Sequence, residues 1–339
     1  MKVVFFDIDD FSKDYIKNKV VCNCKILMTQ KSLDNLTPQE LNDFKDADII
    51  SIFVHSNQVL KAKNLDNFTN LKLITTRSTG YDHIDLEYCK KRNIAVANVP
   101  KYGEITVGEY TMGLLLNISR KIILAKNDMV QGKYTPDAYT GLDLFGKTIG
   151  IIGTGAIGRH MIKLSKGFSM EVIAYDPYPN EEFKRLYNFE YVTLEELLKK
   201  SDIISLHAPS TKENYHLLNE ETFKKMKKGV IILNTARGDL IDSEALYKNI
   251  VNKKVAGAGL DVLENEELLI QDDIILNQQS VSIDFAMDTI VNNKLLKHNN
   301  VVITPHMAFN SIDAVHRILD ITLKNIEAFK AGKMINQVK

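Results

Sequence analysis

The sequence is poor in cysteine, has no surplus of charge and contains no long apolar run. Its three cysteines, Cys22, Cys24 and Cys89, cannot all pair within one chain. Cys22-Asn23-Cys24 lacks the two-residue gap of a zinc knuckle, and no second Cys/His pair follows at a useful distance. No metal site is therefore expected. Free thiols in a reducing compartment fit this usage, so the expected location is cytoplasmic. Lys+Arg and Asp+Glu both number 43, giving a formal net charge of zero. That argues against nucleic acid or an anionic membrane as the main partner, since both demand a basic surface. No stretch approaches the roughly 18 uninterrupted apolar residues of a membrane span. The apolar run in the opening MKVVFFDIDD is too short for a signal peptide and ends in acidic residues.

What remains is the composition of an ordinary globular protein, with 339 residues, 45% hydrophobic and 25% charged. At roughly 150 residues per domain this length suggests two domains. The first hundred residues alternate β-rich runs (Val3–Ile8, Ile49–Val54, Leu71–Thr76, Ile94–Val99) with polar, helix-compatible segments such as Thr37–Lys45, which opens on Thr-Pro. Strands separated by helices imply a parallel sheet with helices on its faces. From Glu104 to Gln131 the spacing predicts one long helix, with Gly108 and Gly113 at points where another backbone approaches closely. A second α/β series starts at Lys147, with strands expected at Thr148–Ile152, Glu171–Tyr175, Ile203–Leu206, Val230–Leu233, Val255–Gly259 and Val301–Thr304. A last helix is expected over Ser311–Ala331, and Glu264–Asn300 reads as a long loop with some helix.

The strongest local signal is GKTIGIIGTGAIGRH. The expected strand Thr148–Ile152 runs into Gly153-Thr154-Gly155-Ala156-Ile157-Gly158, and a helix follows. This is the context that a dinucleotide-binding glycine fingerprint requires. Gly153 permits the tight turn, Gly155 lets the backbone meet a pyrophosphate, and Gly158 lets helix and strand pack closely. The helix N-terminus then offers free N–H groups to phosphate. Asp176 closes the next strand, 18 residues after Gly158. A carboxylate there accepts hydrogen bonds from ribose hydroxyls and repels a 2′-phosphate, which favours NAD over NADP. Its purely structural reading is a cap on the turn before Pro177. Because the fingerprint begins at residue 153, another α/β domain precedes the nucleotide domain.

Hydride transfer between a nicotinamide and a 2-oxo acid needs a cation for the substrate carboxylate, a proton donor for the carbonyl oxygen and a group that orients the donor. Three residues stand at or beyond strand ends. Arg237, one of seven arginines, follows VIILNTA beside a glycine; Glu266 follows Leu260-Asp261-Val262; His306 follows VVITP. The carboxyl ends of strands are where open α/β sheets bind ligands. A guanidinium fork fits a carboxylate, and histidine suits proton transfer near neutrality. Each residue alone also has a structural reading: a strand-capping Arg, a solvated Glu, a satisfied core His.

At this point a resemblance appears over nearly the whole chain. The segments Ile74–Leu86, Asn98–Leu116, Gly150–Arg159, Ser201–Thr211, Ile232–Asp242, Ala258–Glu266 and Ile303–Ser311 resemble, in order, the motifs of the D-2-hydroxyacid dehydrogenase family, and most of all its D-lactate dehydrogenase branch. The resemblance implies two Rossmann-like lobes, each a doubly wound parallel sheet, with an interlobe active-site cleft. Residues 1–101 with 305–339 would form the substrate (catalytic) domain and 102–304 the dinucleotide-binding domain. It implies NAD as cofactor, a small 2-oxo or 2-hydroxy acid as substrate, and a homodimer. Arg237 would bind the substrate carboxylate and carbonyl, Glu266 would hydrogen-bond the histidine, and His306 would be the general acid in reduction. The backbone N–H groups of the Ser78-Thr79-Gly80 loop, Thr79 and Gly80 above all, would hold the substrate carboxylate. Tyr102 and Phe309 match aromatics placed around the substrate. Asp261 matches an aspartate near the nicotinamide carboxamide, His207, Ala208 and Pro209 match a segment covering the cofactor, and Ala236 counts with the cofactor contacts.

The expected reaction is reduction of pyruvate to D-lactate by NADH. Two alternatives stand beside it: a larger or different 2-oxo acid (2-oxoisocaproate, glyoxylate, hydroxypyruvate), and a non-catalytic NAD-sensing protein of the corepressor type. Glu266 argues against the formate dehydrogenases of the same superfamily, which carry Gln there. Three departures bear on substrate range: Met307 replaces the family's usual Asn, Gly103-Glu104 replaces Ser-Pro, and the segment from Glu266 to His306 is longer than in several relatives.

Overall fold

A computed structural model of the chain describes residues 1–19, 24–53, 60, 62–81, 83–266 and 283–338. Cys22, Val54 and residues 267–282 of the expected long loop lie outside the described residues. The fold divides into two compact units, Met1–Tyr102 with Asn310–Lys339, and Gly103–Phe309.

The first unit is built on five strands, β1 (Lys2–Phe5), β2 (Lys25–Met28), β3 (Ile49–Ile52), β4 (Leu73–Thr76) and β5 (Ala95–Ala97). They lie in the order β2-β1-β3-β4-β5, every pair parallel. Val3, Val4 and Phe5 are all fully buried, as expected of a parallel strand covered on both faces. One face carries Val4, Ile50, Phe68 and Ile74, the other Val3, Phe5, Ile49 and Leu73. The final helix, Ile312–Lys330, packs Leu319, Leu323 and Ile326 into the second of these layers. That packing is why the chain's end returns to the first unit. Thr37 and Glu40 close a capping box at the start of the helix Pro38–Phe44, a device worth about 1 kcal/mol.

The second unit carries β6 (Thr148–Ile152), β7 (Glu171–Tyr175), β8 (Glu190–Tyr191), β9 (Ile203–Leu206), β10 (Val230–Asn234), β11 (Val255–Leu260) and β12 (Val301–Ile303). Their order is β12-β11-β10-β9-β6-β7-β8, again all parallel. The chain winds outward from β6 through β7 to β8, then restarts at β9 on the other side. The topological switch thus lies between β6 and β9, where such sheets open a crevice at their carboxyl ends.

Several expectations need correction. Strands β2 and β8 had no sequence signal: β2 is a partly exposed four-residue run containing Lys25, and β8 has only two residues. The long helix is two, Glu104–Arg120 and Ile122–Val130, separated by Lys121 in the left-handed region (φ 51°). Gly141 packs against the Ser119 carbonyl at this break, and Leu142 N–H donates to the same carbonyl at 2.9 Å. At Gly108 a Cβ would meet the His160 side chain, its Cδ2 at 2.7 Å and its Cβ at 3.4 Å, so the helix carrying His160 packs closely there; Gly113 instead faces open space. The helix expected within 264–300 is present, at Ile283–Leu296. Residues 305–309 stay with the second unit, because Met307 and Ala308 donate their N–H groups to the Asp261 carboxylate.

Gly150 lies under the helix Leu194–Lys200, where a Cβ would fall 2.3 Å from Ser201 Oγ and 2.5 Å from Leu197 Cδ2. Gly150→Val should destabilise the chain by about 3 kcal/mol through overpacking. Urea unfolding reads this directly; an unchanged midpoint contradicts the contact.

Candidate active site

The glycine loop follows β6 as the fingerprint requires. Gly153 has φ +90°, and a Cβ there would lie 2.8 Å from Ala208 N and from His207 backbone atoms. A Cβ at Gly158 would lie 2.0 Å from the Gly153 carbonyl oxygen. Both positions therefore exclude any side chain. A Cβ on Gly155 would meet nothing within 4 Å, so the space in front of the helix Ala156–Gly167 is open. That helix begins at Gly155 without a side-chain cap, which leaves the N–H groups of Ala156 and Ile157 to serve an anion.

Asp176 sits at the end of β7. Its Oδ2 accepts from Thr154 N–H at 2.7 Å and from Thr154 Oγ1 at 2.8 Å, and its Oδ1 accepts from Tyr178 N–H at 2.8 Å. Burial opposes its ionisation, but these donors outweigh it and hold the carboxyl below its usual pKa. Asp176 therefore caps the turn and remains an acceptor for further donors. Thr154, buried at 2% exposure, was not singled out from sequence. A small hydroxyl at a variable fingerprint position carries no signal of its own.

His207 ends β9 against the loop; its Nε2 lies 2.8 Å from Ser205 Oγ, and its Nδ1 is buried without a partner. Burial pushes its pKa down to about 4, so the ring is neutral at pH 7. Pro209 accepts from Asn214 Nδ2 at 2.7 Å, which fixes the segment beyond Ala208. The open Gly155 side, the uncapped helix, the orphaned His207 nitrogen and the ionised Asp176 together fit a dinucleotide.

The three candidate catalytic residues follow neighbouring strands, β10, β11 and β12. Arg237 lies just beyond β10, half-buried, its Nη1 donating to the Ala236 carbonyl at 2.7 Å. A Cβ on the next residue, Gly238, would fall 2.1 Å from the Leu263 carbonyl carbon. The Arg237 turn is therefore in backbone contact with the turn that carries Glu266. His306 Nδ1 lies 2.8 Å from Glu266 Oε1, and Glu266 Oε2 accepts from Leu263 N–H at 3.2 Å. Since a carboxylate only accepts, Nδ1 carries the hydrogen and Nε2 is left facing away from Glu266.

His306 is in the left-handed region (φ 48°), and its N–H donates to the Asp261 and Thr304 carbonyls, both at 2.9 Å. This costly conformation is held by its surroundings. Asp261, 1% exposed, accepts from Thr304 Oγ1 at 2.5 Å, Met307 N–H at 3.0 Å and Ala308 N–H at 2.7 Å. Burial raises its pKa despite these donors and the nearby His306. Asp261 thus fixes the His306 loop, a task that sequence reasoning did not assign to it. Met307, where the family has Asn, contributes its backbone to the same anchor. Phe309 is half-buried beyond it.

In the first unit, the loop after β4 presents Thr79 and Gly80. Among the described residues nothing accepts from their backbone N–H groups. Thr79 Oγ1 donates to the Val99 carbonyl at 2.9 Å, and Ser78 Oγ to the Gly80 carbonyl at 2.6 Å. Beneath them the buried Arg77 donates to Ser51 Oγ and to the carbonyls of Phe6 and Asp7. Tyr102 is half-buried, with its carbonyl accepting from Arg317 Nε at 3.0 Å.

These features define an α/β oxidoreductase with a dinucleotide cradle. The family profile described as "D-isomer specific 2-hydroxyacid dehydrogenase, NAD binding domain" matches residues 112–308. The chain is 39% identical over 263 residues to a D-lactate dehydrogenase of Escherichia coli, covering 78% of this chain and 77% of that one. It is 38% identical to an aromatic 2-oxoacid reductase of Clostridium sporogenes, covering 88% and 87%. Its fold matches the crystal structure of a D-lactate dehydrogenase from Aquifex aeolicus complexed with NAD and lactic acid, with a TM-score of 0.81, 34% identity, and 97% and 96% of the two chains covered. The chain belongs to the D-isomer specific 2-hydroxyacid dehydrogenase family. It is an NAD-dependent oxidoreductase.

Gly158→Ala should abolish NADH binding, read by fluorescence titration, because the Gly153 carbonyl cannot retreat without opening the loop; near-normal affinity contradicts the cradle. His207 adds a pH signature. The unfolded chain takes up a proton near pH 6.5 that the folded ring refuses until about pH 4, so stability present at neutral pH falls as pH drops through this window. His207→Gln should flatten that slope in urea unfolding series; an unaltered slope removes His207 from the account.

Proposed function

We propose that the chain reduces a small 2-oxo acid to the D-2-hydroxy acid, with pyruvate to D-lactate as the preferred reaction. The observation that carries this reading is the 2.8 Å contact between His306 Nδ1 and Glu266, beside a strand end that carries Arg237. When bound, NADH supplies the hydride. Arg237 takes the substrate carboxylate and draws electron density from the carbonyl. His306 Nε2 delivers the proton to the carbonyl oxygen, and Glu266 stabilises the imidazolium that reduction consumes. Hydride and proton together convert the carbonyl into the hydroxyl, and oxidation reverses each transfer.

Thr79 and Gly80 are proposed to hold the substrate carboxylate through their N–H groups, and Tyr102 and Phe309 to bound the side-chain pocket. Asp176 is proposed as the ribose acceptor, Ala156, Ile157, Ala208, Pro209 and Ala236 as further cofactor contacts, and Asp261 as a nicotinamide-side residue besides its loop anchor. Aromatic 2-oxo acids form a second reading, favoured by the name of the Clostridium relative. The reported relatives are dehydrogenases and reductases, which leaves the non-catalytic alternative without support. A homodimer is also proposed. The helix Ile122–Val130 has no buried residue and exposes Ile122, Ile123, Met129 and Val130, with Tyr134 beyond it, an apolar face suited to a second copy.

His306→Ala should cut kcat by at least about a hundredfold while NADH affinity stays near wild type; near-normal turnover contradicts the assignment. Across a panel of 2-oxo acids, kcat/KM should peak at pyruvate, and a peak at phenylpyruvate would establish the second reading instead. Asp176→Ala should raise relative use of NADPH; an unchanged preference contradicts the ribose role. Val130→Asp should convert a dimer to a monomer in sedimentation, whereas a wild-type monomer refutes the dimer.

A further inference from the structure

A densely bonded titratable cluster outside the residues assigned so far is His216, Tyr215 and Glu264. His216 Nε2 lies 2.9 and 2.8 Å from the two Glu264 oxygens. Tyr215 donates its hydroxyl to Glu264 Oε1 at 2.8 Å, and the two rings stack with centroids 3.9 Å apart. The carboxylate pushes the Tyr215 hydroxyl up to about 12. Because Glu264 can only accept, His216 must donate from Nε2 in either charge state.

We infer that His216 is a positioning residue for the proposed reaction, its bond to Glu264 holding the turn that presents Glu266 to His306. The inference rests on the reading of Glu266 given above. Two connections carry it. His216 N–H donates to the Asp239 carbonyl at 2.9 Å, and Leu218 N–H to the Leu240 carbonyl at 3.0 Å; both acceptors lie just beyond Arg237. On its other side, His216 grips Glu264, two residues before Glu266. Gly238 is pressed against the backbone of Leu263 and Glu264, and Leu263 N–H orients Glu266 Oε2. His216 thus clamps the Arg237 turn and the Glu266 turn to one another. Asn292 holds the far side of the second turn through Glu264 O at 2.8 Å.

The side chains of His216 and Glu264 are only 27% and 16% exposed, so the contact is largely shielded from water, where a hydrogen bond to a carboxylate holds geometry firmly. His216 also keeps a left-handed backbone (φ 49°), a conformation that persists only where its surroundings over-determine it.

The test is a cycle on the full-length enzyme, assayed with NADH and the best 2-oxo acid of the panel. His216→Ala and His216→Gln meet the same left-handed backbone, so they differ chiefly in the restored N–H donor. His216→Ala should lower kcat about tenfold, a fraction of what proton transfer contributes, with NADH affinity unchanged, and His216→Gln should recover most of it. In a Glu266→Gln background His216→Ala should cost nothing more. Glu264→Ala breaks the same bond from the other side and should reproduce both results, which covers poor folding of one variant. Undiminished kcat in His216→Ala, or an equal loss in both backgrounds, overturns the inference. Undiminished kcat in Glu266→Gln alone instead overturns the reading of Glu266 on which the inference rests.

Discussion

One hydrogen bond organises the candidate site of the second unit: the donation from His306 Nδ1 to Glu266. An imidazole has two nitrogens, and a proton donor works only if the correct one is free. Tying Nδ1 to a carboxylate makes that choice and orients the ring in a single contact. The bond joins residues 40 positions apart in the chain, so it exists only because β11 and β12 are neighbours in the sheet. Its support is also local and costly. His306 keeps a left-handed backbone because Asp261, buried at the end of β11, accepts from the residues on either side of it.

The all-parallel sheet explains why the glycine cradle and the His306–Glu266 pair share one unit. Every strand delivers its carboxyl end to the same edge. The glycine loop leaves β6 there, His207 leaves β9, and Arg237, Glu266 and His306 follow β10, β11 and β12. Glycine is required where these segments crowd: at Gly153 and Gly158 to seat the loop, and at Gly238 to let two turns touch. Polar chemistry thus gathers at the strand ends, while strand interiors such as Ile149, Ile151, Ile204 and Ile232 are buried.

Much of this was legible in the sequence. Buried parallel strands announce themselves as short apolar runs, and the glycine fingerprint carries its own steric logic. Motif order pointed to Arg237, Glu266 and His306 before any coordinates. What stayed hidden had physical reasons. Strand β2 is partly exposed and lysine-bearing, and β8 is two residues long, so neither shows a periodic signal. The helix break at Lys121 is imposed by packing of Gly141 on Ser119, which helix propensity does not register. The anchoring task of Asp261 and the Glu264–His216 contact join residues 43 or more apart, and no local pattern encodes such pairs.

The most direct measurement of the central claim is the protonation pattern of the His306 ring, read by nitrogen-15 NMR of histidine-labelled protein, with His306 assigned by difference from a His306→Gln sample. The account predicts a hydrogen on Nδ1 in every charge state of the ring, and its loss from that position when Glu266 is replaced by Ala. A neutral ring protonated at Nε2 alone, with Nδ1 bare beside an intact Glu266, would contradict it.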